Sequence, residues 1–126
     1  MTSPPEDLSV IFRKQVKIDQ ARAAPLPDGV FQIVSYNAIH FTGWPDQPKP
    51  HAIDPYEVFA DVPRDVLDDW IKRARKLFNG NYELGDAIVG QYPSAARLRA
   101  NFIAANPGFG EHSYEYAIYL SAVGAR

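Results

Sequence analysis

Three histidines and a cluster of tyrosines are the residues of this 126-residue chain whose types and spacing lend themselves to chemistry. His112, Glu115, Tyr116 and Tyr119 are offset by three, four and seven positions, which puts them on one face if the segment is helical. An H-x-x-E pair on one face can hold a metal, or join a general base to the carboxylate that orients it. Either use needs more groups. The candidates are His40, or His51, Asp54 and Glu57 in the proline-rich stretch upstream. A local reading needs none of these, because His112 is then a first-turn histidine with Glu115 as its neighbour. No metal site is assigned from the sequence, and the cofactor is unknown.

The segment "PGFGEHS" at 107–113 carries two glycines ahead of a helix start, where free backbone N–H groups attract anions. It lacks the G-K-[ST] ending of a phosphate loop and the third glycine of a dinucleotide fingerprint. Glu111 also puts negative charge where the anion would sit, and that charge complements the helix dipole. A turn followed by a helix start accounts for the segment. "KRARK" at 72–76 follows Asp65, Asp68 and Asp69, with Asp68/Lys72 and Asp69/Arg73 four apart. Acid at the positive end and base at the negative end describe a self-complementary solvated helix, and a nucleic-acid stripe with Arg97 and Arg99 is the weaker reading. Pro45 and Pro48 make a bare P-x-x-P, and no serine sits in a G-x-S-x-G elbow.

The elements that must position these residues are mostly helical. Ser3 and Glu6 form a capping box ahead of Leu8, Ile11, Phe12 and Val16 at helical spacing, so a first helix is expected over 4–23, ended by "PLPDG" at 25–29. Val30, Ile33, Val34, Asn37, Ala38 and Phe41 make a helical stripe, although β-branched and aromatic content keeps a strand or hairpin at 30–42 as the alternative. Four prolines in residues 44–55 make a loop. The clearest helix has Pro63 in its first turn: Val66, Leu67, Trp70, Ile71, Ala74, Leu77 and Phe78 share one stripe, and Asn79-Gly80 supplies the stop. Asn81 caps a shorter helix, Ser94 caps another carrying Leu98, Phe102 and Ala105, and the last begins near Glu111. In that last helix Tyr114, Ala117 and Ile118 cover one side and Tyr116, Tyr119 and Val123 another, so no wide polar face remains. Such a helix is buried centrally or covered by a partner.

The expected fold is therefore mainly α, a compact bundle of five or six helices with one long Pro-rich loop, or α+β if 30–42 is extended. Length argues for a single domain over 1–126. A formal charge of −2 excludes a broad electrostatic footprint for nucleic acid or an anionic membrane, and no apolar run approaches the ~20 residues that span a bilayer. The acidic, proline-bearing start "MTSPPEDLSV" is unlike a secretory signal, so a soluble, cytoplasmic protein is expected. Absent cysteine removes disulfides and thiolate chemistry.

Two functions follow. The first is a protein-interaction module, an accessory subunit or an inhibitor or immunity-type partner, working as a hetero- or homo-oligomer through Tyr114, Tyr116, Tyr119, Trp44 and Tyr56. The second is a small hydrolytic or isomerising enzyme with His112 as general base or metal ligand and Glu115 orienting it, with the loop residues His51, Asp54 and Glu57 as a further possible site.

Overall fold

A proline in a first turn costs a helix nothing, since the N–H it lacks would have no partner there. The segment "PLPDG" uses this. The computed structural model describes residues 8–41 and 52–124, and in it α1 (Leu8–Ala23) is followed after two residues by α2 (Leu26–Phe41). Pro27 and Asp28 lie in the first turn of α2, and the Gly29 N–H donates to the Pro25 carbonyl at 2.9 Å, so this stretch opens a helix as well as ending one. The whole of 30–41 is helical, and no strand occurs among the described residues. The Ser3/Glu6 box, the start of the first helix at Pro4, the P-x-x-P and most of the proline loop, with Trp44 and His51, lie outside the described residues.

The remaining elements are a one-turn α3 (Pro55–Val58), α4 (Arg64–Asn79), α5 (Tyr82–Val89), α6 (Ala95–Ala105) and α7 (Glu111–Gly124). Together they form an all-helical bundle, and no described helix is long and apolar enough to cross a membrane. The stripe on α4 buries Leu67, Ile71, Ala74 and Leu77 as its spacing requires, while Val66 at its edge stays exposed. Pro63 takes the N-cap position, one residue earlier than a first-turn place, and Gly80 closes the helix at φ 67° with its N–H on the Leu77 carbonyl. Asn81 caps α5 by accepting from the Leu84 N–H. Ser94 does not cap α6 with its side chain, because its backbone is already helical, and Ala105 is exposed.

The helix at the centre is α2. It packs on α1, α3, α4 and α7, and it buries Val30, Phe31, Ile33 and Tyr36 on more than one side. Asn37 on its apolar stripe has a use that burial alone would not suggest: its side chain accepts from the Ile53 N–H (2.9 Å) and donates to the Ile53 carbonyl (2.8 Å). A side-chain amide thus stands in for a neighbouring strand and fastens the return of the proline-rich connection onto α2.

The last helix is buried on the face of its small residues. Ser113, Ala117 and Ser121, four apart, turn inward with Ile118, while Tyr116, Tyr119 and Val123 turn outward. Small residues let α5 approach closely: a Cβ on Gly85 would stand 2.1 Å from the Ser121 carbonyl oxygen. The Ser121 hydroxyl donates to the Ala117 carbonyl at 3.0 Å and accepts from the Asn81 N–H at 3.0 Å, so no polar atom is wasted at the crossing.

Candidate functional site

The turn at 107–113 is where sequence and structure meet most directly. Gly108 has φ +101°, a conformation that L side chains rarely adopt, and a Cβ there would also strike the Trp70 ring at 2.7 Å. This tight path drives Phe109 inward, where its ring meets Phe31, Trp70 and Tyr114 edge-on at 6.0, 5.6 and 6.1 Å. The start of α7 does hold an anion, and that anion belongs to the chain. One oxygen of the Asp28 carboxylate accepts from the Gly110 N–H at 2.8 Å and from the Ser113 hydroxyl at 2.6 Å. Asp28 therefore serves two helix starts at once, its own in α2 and that of α7.

His112 and Glu115 are not hydrogen-bonded to each other in this structure. The Glu115 carboxylate is bound by Arg99 of α6, across the bundle edge, and His112 makes no hydrogen bond with a described residue. His112 instead lines a groove. His40 falls in the last turn of α2 and His51 is outside the described residues. Among the described residues no three histidine or acid side chains gather as a metal site.

Of the predicted interface residues, Tyr114 is turned into the fold: its hydroxyl donates to the Asn106 carbonyl at 2.7 Å and accepts from the Phe109 N–H at 3.3 Å. Tyr116 and Tyr119 face solvent, 39% and 61% exposed. Partial burial, followed by the neighbouring Tyr119, raises the pKa of the Tyr116 hydroxyl above its ordinary value. Tyr56 is half-buried, donating its hydroxyl to Asp68 beneath the Arg64 guanidinium, 4.3 Å from the ring centre. The bond to Asp68 raises the Tyr56 pKa first, then desolvation and the Asp68 charge, against lowering by Arg64 and Arg75. Of the possible loop site, Asp54 accepts from the Tyr56 N–H as the N-cap of α3, and Glu57 is exposed in the same turn.

Two members of the basic run are similarly occupied. Arg73 pairs with Asp69 at 2.9 Å and lies over the Trp70 ring, and Lys76 donates to the Ala105 carbonyl at 2.8 Å. Asp68, which the spacing assigned to Lys72, is taken by Tyr56.

What sequence reasoning missed is the side of α1. The stripe of Leu8, Ile11, Phe12 and Val16 is the pattern of a core face, yet all four are exposed, Leu8 at 77% and Phe12 at 69%. The side of α1 that meets the bundle carries Ala21, fully buried, with Ile18 partly buried. Between α1, α2 and α7 lies a groove of about 280 Å³ whose lining includes Lys17, Phe31, Tyr36, Ile39, His112 and Tyr116. The signal available in the sequence was charge: α1 holds Arg13, Lys14, Lys17 and Arg22 against one acid, Asp19. Comparison of this chain with protein-family models, with curated proteins and with solved structures gave no match.

Proposed function

We propose that this chain is a cytoplasmic protein-interaction module, folded as one domain, that works as an accessory subunit or as an inhibitor or immunity-type partner. The observation that carries the reading is the apolar surface on three adjoining helices: Leu8, Ile11, Phe12 and Val16 of α1, Ile39 of α2, and Tyr116, Tyr119 and Val123 of α7. Grouped apolar exposure is uncommon on a monomer and marks association surfaces. Tyrosines suit such a surface because the ring buries area while the hydroxyl meets water or a partner at the rim. Arg13, Lys14 and Lys17 beside these residues favour a partner with acidic groups around its apolar centre. Against the enzyme alternative, Glu115 is already bound by Arg99 and does not orient His112.

The test is native mass spectrometry of the untagged protein recovered from its source cells, followed by the double variant Tyr116→Ala/Tyr119→Ala and, separately, Phe12→Ala. A stoichiometric protein partner or a homo-oligomer that these variants release supports the reading. A bare monomer, or an assembly untouched by folded variants, refutes it.

A further inference from the structure

We propose that the groove between α1, α2 and α7 is a binding site for a small aromatic carboxylic acid of one or two rings. The inference stands apart from the interaction reading, since a chain with no protein partner can still fill this groove.

The size comes first. A concavity of about 280 Å³ lies at the small end of the range for ligand sites, too tight for a nucleotide and adequate for one or two rings. Its apolar part is aromatic: Phe31 and Tyr36 are buried beneath it, and Tyr116 stands at its edge with its ring 6.4 Å from that of Phe31 at 72°. Such a corner accepts another ring edge-on, as the Phe31 ring already accepts Phe109.

The polar part selects an acid. The hydroxyls of Ser35 and Ser113 also line the groove, but their protons are committed, to the Phe31 carbonyl at 2.7 Å and to Asp28 at 2.6 Å. They offer lone pairs only, which does not suit a polyol needing both donors and acceptors from the wall. The ammonium of Lys17 remains. Unlike Arg73 and Arg99, it has no carboxylate partner among the described residues, and its side chain is half-buried along the groove. An apolar ring bed with a cation at its margin that no described carboxylate pairs is complementary to an aromatic body carrying one negative group. Gln32 in the same wall has a buried amide oxygen with no donor among the described residues, an acceptor that calls for an N–H on the ring system and not for the carboxylate.

The experiment titrates the whole chain, ¹⁵N-labelled, with indole-3-acetate and with 3-methylindole, which has the same rings and no carboxylate. Indole-3-acetate is expected to saturate with a dissociation constant of about 0.1–1 mM, moving the amide signals of Lys17, Tyr36, His112 and Tyr116. Lys17→Gln should weaken it about tenfold and leave 3-methylindole unchanged, and Ile39→Trp, at an exposed position that can fill the groove, should abolish both. The proposal is overturned if no saturation is reached by about 10 mM. Shifts that lie outside the groove, or equal affinity of the Lys17→Gln protein for the acid, overturn it as well.

Discussion

Removing the carboxylate of Asp28 separates the two ways in which it can hold the start of α7. Both of its hydrogen bonds, from the Gly110 N–H at 2.8 Å and the Ser113 hydroxyl at 2.6 Å, end on the same oxygen, and the site is partly buried. Asp28→Asn keeps an oxygen at that position and loses only charge, so it should cost about 0.5–1 kcal/mol, the usual worth of a charge at a helix start. Asp28→Ala removes both bonds, strands the Gly110 N–H and leaves α7 without a cap, which adds up to about 2–3 kcal/mol. Urea unfolding followed by helical circular dichroism reads both. With a slope of about 1–3 kcal/mol per molar urea, the alanine variant should unfold roughly 1–2 M earlier with that slope unchanged, and the asparagine variant by less than half as much. A cycle with Ser113→Ala should return a coupling of about 1 kcal/mol between the two side chains. If Asp28→Ala costs under about 0.5 kcal/mol, the contact does not hold α7. If asparagine and alanine cost the same, charge alone matters and the hydrogen-bond argument fails.

Three other perturbations test separate parts of the fold. Gly85→Ala raises helix propensity yet puts a methyl 2.1 Å from the Ser121 carbonyl oxygen, so thermal unfolding should show a net loss of about 2–3 kcal/mol; unchanged stability would mean that α5 and α7 are not so close. Asn37→Ala removes both bonds to the Ile53 backbone and should cost about 2 kcal/mol, with the Ile53 amide losing much of its protection from hydrogen exchange. Tyr56, whose pKa is raised chiefly by its bond to Asp68, should ionise above the ordinary tyrosine value of 10.0 in ultraviolet titration, and Asp68→Asn should bring it down. A raised folded-state pKa means that this contribution to stability is present below pH 10 and is lost as pH rises through the folded value; an Asp68→Asn protein with the same Tyr56 titration would show that the bond is not made in solution.

Much of the architecture was legible because local rules and tertiary packing agree. On α4 the spacing of Leu67, Ile71, Ala74 and Leu77, the helix stop at Gly80 and the cap at Asn81 each have one solution in isolated chain geometry, and the fold keeps it. Residues 30–41 had two solutions, because β-branched residues suit a strand while their spacing suits a helix, and burial on several sides of α2 decided for the helix. The Glu115 partner of His112 was less legible. Helical spacing places two side chains near each other, but it cannot show that Arg99 from another helix reaches one of them first.

Caps, stripes and glycine turns act over a few residues, so α4 with its stop at Gly80, the cap of α5 and the uneven sharing of charge are readable in the chain itself. Which face of α1 and of α7 is the inside was settled by packing between helices. On both helices small residues share the buried contact, Ala21 in one and Ser113, Ala117 and Ser121 in the other, beside Ile18, Tyr114 and Ile118, while Leu8, Phe12, Tyr116 and Tyr119 look outward. Hydrophobicity ranks side chains by what they gain on leaving water, but close helix crossings select for how little space a side chain takes, and that constraint exists only once the neighbouring helix is in place.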